Sequence, residues 1–440
     1  MRVVSVNLLL AVAFGAPAMA APAHAAPISA HAMVHSCCTP SAMKERIFSE
    51  AKRLGSDYIR VDVELNGIFS APGAEPNWSG LDEVIELSEK HRLPVLGIVL
   101  APPAGADEED FGRLAGEVAE HAAGTIRHWE IVNEPDGAWA FDGPPEQYAL
   151  MLSAAYDEIK ARVPRARVLL GGLMRPHEPA WLERVFATPG ADAIHKFDVA
   201  NVHLRGPVEA VVRRYGEFRA WLAARGFEGP LWVTEHGYPA DPAFQTDRAY
   251  AAGDASQADY LTQTLVGLGE AGAEQVFVTL RDNLEGEYAS EGVENIGAAP
   301  DYVTTRRASF TAVRRLVDDW EQVMSWRHEQ RENERLTAQY QATAAAAAQK
   351  TKIARAEFHQ ARLLVHAAQD ALEAPPAARK KAARERIVRR LTVRLERARA
   401  LLAGRRAVLL WDSAVTRWQR GRAYEHAVAV ELLKRRIAGG

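Results

Sequence analysis

Cysteine is almost absent: the 440 residues hold two, adjacent at Cys37 and Cys38. That excludes a disulfide framework and a zinc knuckle. A bond between neighbouring cysteines is strained, so the pair is expected to be small packing residues near a strand end rather than a reactive thiol pair. No apolar run approaches the ~20 residues of a membrane span, and none is expected. There is no H-E-x-x-H and no H-x-H on a strand, so neither a metal nor another cofactor is expected. No G-x-G-x-x-G follows any candidate strand, which removes the usual sign of a dinucleotide-binding sheet. No nucleic-acid partner is expected.

What is present is uneven. The formal net charge is only -4, but residues 321–440 carry 25 Lys/Arg against 12 Asp/Glu, so a basic C-terminal part follows an acidic remainder. Residues 1–25 read as a secretory signal. Arg2 supplies the charge, Leu8 to Gly15 the short apolar core, and Ala18-Met19-Ala20 and Ala23-His24-Ala25 are cleavage candidates. Secretion, to the medium or the cell envelope, is the expectation.

Residues 27–320 alternate strand-like and helix-like segments. Eight strand candidates run Ile28–Ser36, Asp57–Leu65, Leu93–Ala101, Thr125–Glu134, Ala166–Leu173, Phe197–Leu204, Pro230–Gly237 and Glu274–Arg281. Several are near-continuous apolar runs, as parallel strands covered on both faces require. Between them lie amphipathic stretches of helical period. Eight such units in under 300 residues predict a (β/α)8 barrel. From residue 321 the character changes. About fifty residues lack Gly and Pro, Pro375-Pro376 breaks the run, and Ile387, Leu391, Leu395, Ala398 and Leu402 then recur at helical spacing. An antiparallel helical hairpin or coiled coil is expected over 321–440, with Gly404 and Gly421 counting against a single second rod.

Two strands end on a glutamate. "TIRHWEIVNEPDG" delivers Glu134, after Asn133 and before turn residues. "GPLWVTEHGYP" delivers Glu235. They close the fourth and seventh strands, at the C-terminal mouth where barrel enzymes place their chemistry. Two convergent carboxylates suit a proton donor and a nucleophile acting on one glycosidic bond.

"WEIVNEP" and "VTEHGYP" resemble the acid/base and nucleophile strands of clan A retaining glycoside hydrolases, with a likeness to family 39 and family 5-like members over the eight-stranded region. The resemblance implies Glu134 as acid/base, Glu235 as nucleophile, and Asn133 bonded to the sugar 2-hydroxyl. It also places Arg60 near the nucleophile, where a fixed cation keeps Glu235 ionised while Glu134 holds a proton. The alternative for Arg60 is pairing with Asp62 or Glu130. His203 matches a sixth-strand position at the mouth, or is a packed histidine. His35 lines the pocket or merely closes the first strand. Trp139 and Tyr238 stack on sugar or pack their loops. Glu130 is expected in a structural ion pair.

The clan's eighth-strand Trp is missing here. Arg281 in that region either reads an acidic or substituted sugar or pairs with Asp282 or a loop carboxylate, and pairing is the expectation. The function that follows is a secreted retaining glycosidase acting on a polysaccharide or glycoconjugate. The alternative is a catalytically inactive barrel acting as a carbohydrate-binding or cell-envelope structural protein. The basic helices serve as a spacer, or hold an anionic cell-envelope polymer.

Overall fold

A computed structural model describes residues 26–244, 253–282, 286–297, 302–374 and 381–439. The proposed signal segment and Pro375-Pro376 lie outside the described residues. The chain divides into two units, residues 1–321 and 322–440.

In the first unit the eight strands are β1 (Ile28–His35), β2 (Ile59–Glu64), β3 (Val95–Leu100), β4 (His128–Ile131), β5 (Arg167–Leu169), β6 (Ala200–Leu204), β7 (Leu231–His236) and β8 (Val276–Thr279). The helices among them are α1 (Ser41–Leu54), α2 (Leu65–Ile68), α3 (Ser79–His91), α4 (Glu108–His121), α5 (Pro145–Arg162), α6 (Ala180–Phe186), α7 (Val208–Ala223) and α8 (Gly253–Glu270). A short antiparallel pair, β9 (Glu294–Ile296) and β10 (Thr304–Arg306), precedes α9 (Ala308–Asp318). The strands pair in parallel in the order β5-β4-β3-β2-β1-β8-β7-β6. Parallel bridges Leu169↔Val199 and Leu173↔Val202 link the two ends of that order. This is the eight-stranded barrel.

Side chains of alternate strand residues point inward. On β2 the apolar residues Ile59, Val61 and Val63 are fully buried under the helices. Tyr58 and Arg60 face the interior. The lower interior is apolar: Leu96, Leu169, Val199, Trp232 and Phe277 form one cluster, with Tyr58 against it. His128 stacks on Trp232 at 5.1 Å. This packed floor excludes water from below, and the polar layer sits on it.

In the second unit, α10 (Trp320–Glu373) and α11 (Lys381–Gly439) are long helices. Contacts run antiparallel: Asn333 with His426, Thr343 with Gln419, Thr351 with Thr416, and Val365 and Ala368 with Leu395 and Ala398. The helix continues through Gly404 and Gly421, contrary to the expectation that these would interrupt it. Their ~1 kcal/mol helix cost each is spread over 59 residues. Among the described residues no helix is long and apolar enough to cross a membrane.

Candidate active site

Arg60 is the hub. It is 1% exposed and rises from the middle of β2 above the apolar floor. Its Nε and Nη2 donate to the two oxygens of Glu130 at 2.9 and 2.7 Å. Its Nη1 donates to Glu235 Oε1 at 2.7 Å, and Nη2 also donates to Asn133 Oδ1 at 2.7 Å. Arg60 therefore pairs with Glu130, one of the two partners its alternative reading named, and also lies beside Glu235. Glu130, fully buried, makes the structural ion pair expected of it and also accepts from the backbone N–H of Gly172 at 3.0 Å.

Glu235 comes from β7, whose register against both neighbours slips by one residue around Thr234. Such a bulge re-aims side chains. Here Thr234 bonds His203 and Asn201, Glu235 turns to Arg60, and His236 points out to Thr264 of α8. Burial works to raise the Glu235 pKa. His203, His31, Arg60 and Arg205 around it more than offset that, and the carboxyl is held well below its ordinary range. The guanidiniums are permanent charges, and they are the partners that keep it ionised at neutral pH.

Glu134 is placed differently. Strand β4 stops at Ile131, and Val132 and Glu134 have φ of 66° and 46°. Left-handed backbone at a non-glycine residue is strained, most of all at a β-branched one. The turn swings Glu134 over the pocket instead of continuing the ladder. Asp136 pins it to the next loop by accepting from the N–H groups of Met174 and Arg175. Glu134 Oε1 lies 2.6 Å from His203 Nδ1, so one proton sits between them. Atoms of Glu134, His203 and Glu235 all lie within 4.8 Å of one another.

The structure adds residues that the sequence reading passed over. His31 is brought inward by a register shift in β1 after it, where Met33 has φ 49°. Its Nε2 lies 3.7 Å from Glu235 Oε1, and burial pushes its pKa down to about 3, so it is neutral in working buffers. Arg205 donates to Glu235 Oε2 at 3.1 Å and is anchored by Glu291 through bonds of 2.7 and 3.1 Å. Arg205 follows His203 at strand period, so the pattern Asn201, His203, Arg205 was a usable signal. Glu291 carried none.

Of the remaining expected site residues, His35 stands half-exposed at the mouth, bonded to Glu64 at 2.5 Å and 3.3 Å from Asp62. The Glu64 hydrogen bond raises its pKa, and burial raises that of Asp62 to about 6. Trp139 is 69% exposed, its Nε1–H on the Met174 sulfur, so its ring face is open. Tyr238 is 2% exposed and stacks on Tyr260 at 4.0 Å. It is a packing residue, not a sugar platform, because the bulge in β7 turns the following segment away from the pocket. Cys37 and Cys38 are exposed and bonded to each other, not the buried packing pair expected. Among the described residues three sets of side chains have spacing that could hold a metal ion: Glu134, His203 and Glu235; His35, Asp62 and Glu64; and Cys37, Cys38 and Glu64. All three are tied internally by the bonds just described.

Gly172 holds the site from below. A Cβ there would lie 2.1 Å from His203 Nε2. Gly172→Ala will displace the imidazole and lower turnover on the order of 10²-fold, the usual cost of an ångström of misplacement. Parallel kcat and circular dichroism measurements check this; full activity in the variant would mean that His203 is not needed where it stands.

No family model matches the sequence, and neither does any curated protein. Solved structures do. The fold is shared with a family 39 glycoside hydrolase from the gut symbiont Bacteroides cellulosilyticus WH2, at 16% identity and TM-score 0.52 over 67% of this chain and 64% of that one. It is shared also with the exo-beta-1,4-mannosidase Op5Man5 from Opitutaceae bacterium strain TAV5, at 17% identity and TM-score 0.51 over 67% of this chain and 60% of that one. The chain thus spans less than two thirds of either length. At these identities the likeness shows the shared barrel fold.

Proposed function

We propose that the protein is a retaining glycoside hydrolase with Glu235 as nucleophile and Glu134 as acid/base. The observation that carries this is the pair of carboxyl groups, one oxygen of each within 4.8 Å of the other, at the C-terminal end of the barrel and in unlike surroundings. Retaining enzymes hold the two groups ~5–5.5 Å apart for direct attack, whereas inverting enzymes leave room for water at ~6.5–9.5 Å.

In the first step a Glu235 oxygen forms a bond to the anomeric carbon. The glycosidic C–O bond breaks as Glu134 gives its proton to the leaving oxygen, and the aglycone departs as an alcohol. In the second, water attacks the anomeric carbon, Glu134 takes its proton, and the ester to Glu235 breaks. His203 stays on Glu134 through both, a partner for either protonation state. Arg60 fixes Asn133 by its Oδ1, which turns the amide N–H groups to the pocket as donors for the sugar 2-hydroxyl. A panel of aryl glycosides, assayed with and without chelator, tests the reading. Turnover of at least one substrate, indifferent to chelator, is expected; turnover that chelator abolishes would point to the metal-like clusters instead.

We place the enzyme outside the cytoplasm on the strength of residues 1–25, and a mature N-terminus at Ala21 or Ala26 is the result to look for. The basic helices are proposed to hold an anionic envelope polymer. Arg386, Arg389, Arg390, Arg394 and Arg397 line one stretch of α11, are exposed, and have no ion-pair partner among the described residues. Charge reversal of three of them is expected to release the protein from anionic wall material, as is ~0.5 M salt, which shortens screening to a few ångströms. Retention unaffected by either would leave the helices as a spacer.

A further inference from the structure

We propose that Arg281 is an anion reader in the sugar pocket, and that the substrates are therefore glycosides of carboxylate-bearing sugars, the uronic acids. The inference rests on the glycosidase reading above and narrows it.

Arg281 follows β8, where Phe277 belongs to the interior floor and Thr279 bonds Glu291 beside the nucleophile. Val276, Val278 and Leu280 are fully buried on the other face. Strand period then puts Arg281 on the interior face, one layer above Thr279. The backbone is still extended there, bridged to Glu294. The guanidinium is partly buried and close enough to His35, at the end of β1, to act on its charge. This is the C-terminal end of the barrel on the β1–β8 side.

The expected partner is already engaged. Both oxygens of Asp282 accept from Arg307 at 2.7 Å, and Oδ1 accepts also from the N–H of Gly292. Glu291 is held by Arg205. Glu64 and Asp62 are engaged with His35. Arg281 makes no hydrogen bond or ion pair among the described residues. A partly desolvated cation without a hydrogen-bonded partner is costly, and here burial pushes its pKa down more than the nearby Asp282 charge lifts it. The nearby His35, raised by Glu64, adds no negative charge of its own. A planar guanidinium whose donors have no partner among the described residues matches a carboxylate, which such a group binds through two parallel N–H···O bonds. A neutral hydroxymethyl group in the same place leaves the charge uncompensated.

The experiment uses the full-length protein and matched aryl glycosides, in both anomers, that differ only in a C5 hydroxymethyl, carboxylate or hydroxymethyl sulfate. Calorimetry with the corresponding free sugars runs beside it. Wild-type protein should prefer the carboxylate member by at least about tenfold in kcat/KM and in binding, the effect of one charge-assisted bidentate contact. Arg281→Ala should lose that preference and keep its rate on the neutral member. Arg281→Lys should retain part of it. Melting temperatures should not fall in Arg281→Ala, since no bond is lost. Preference for the neutral member, or equal loss on all three, overturns the inference while leaving the glycosidase intact. Preference for the sulfate overturns the carboxylate assignment. If no member is turned over, the glycosidase reading fails, and carboxylate binding that depends on Arg281 still decides this one.

Discussion

Glu235→Ala will lose at least about 10⁴-fold in kcat on every substrate, because no other group in the pocket can form the covalent intermediate. Glu134→Ala will behave differently. On substrates with poor leaving groups it will lose roughly 10²–10⁴-fold, the worth of general acid catalysis. On activated aryl glycosides its first step will survive, since little protonation is needed there. Azide should restore both, giving an inverted glycosyl azide from Glu235→Ala and a retained one from Glu134→Ala. The asymmetry follows from the site. Glu235 touches two guanidiniums, through 2.7 and 3.1 Å bonds, whereas Glu134 shares a proton with His203. Identical behaviour of the two variants would contradict the division of roles.

Removing Arg60 will have the largest effect on the fold. Arg60→Met leaves Glu130 fully buried without its cation. Breaking one side of such a pair costs about 3–5 kcal/mol, on the order of 10 °C in Tm for a domain of this size. The double variant Arg60→Met, Glu130→Leu removes both charges and should recover much of that loss, but not activity, because Glu235 and Asn133 still lack their anchor. The pH dependence has a definite sign. The depressed pKa of Glu235 contributes stability present above its unfolded value, near 4.5, and lost as pH falls through the lower folded value. Neutral buried His31 acts in the same direction, its contribution falling as pH drops from 6.5 towards about 3. Asp62 and Glu294, raised to about 6 and about 8, contribute in the opposite direction above about pH 4.5, so the wild-type melts should fall below that pH, where the Glu235 and remaining His31 contributions are both lost. In Arg60→Met the Glu235 contribution should be lost at higher pH. A melt profile parallel to that of the wild type would mean that Arg205 alone sets the Glu235 charge.

Much of this was legible before the structure. All eight strands follow from apolar runs bounded by turn residues, and both glutamates stand out because a carboxylate at the end of a buried strand has no structural reason to be there. Three things were not legible, each for a physical reason. Bulges depend on the register of neighbouring strands, so the inward turn of His31 and the outward turn of the Tyr238 segment leave no local mark. Left-handed backbone at Val132 and Glu134 goes against the preferences of both residues, and only the surrounding barrel enforces it. Ion-pair partners distant in sequence cannot be ranked by proximity. Asp282 is adjacent to Arg281 but is held by Arg307, 25 positions on. Arg205, by contrast, lay in plain view two residues after His203.

The central claim is that these two carboxyl groups perform a double displacement. Proton NMR of the first-formed product tests it most directly, recorded in the first minutes of hydrolysis before mutarotation mixes the anomers. The site predicts that the anomeric configuration of the substrate is retained in that product, and that it appears without chelator sensitivity. A first-formed product of inverted configuration would contradict the account.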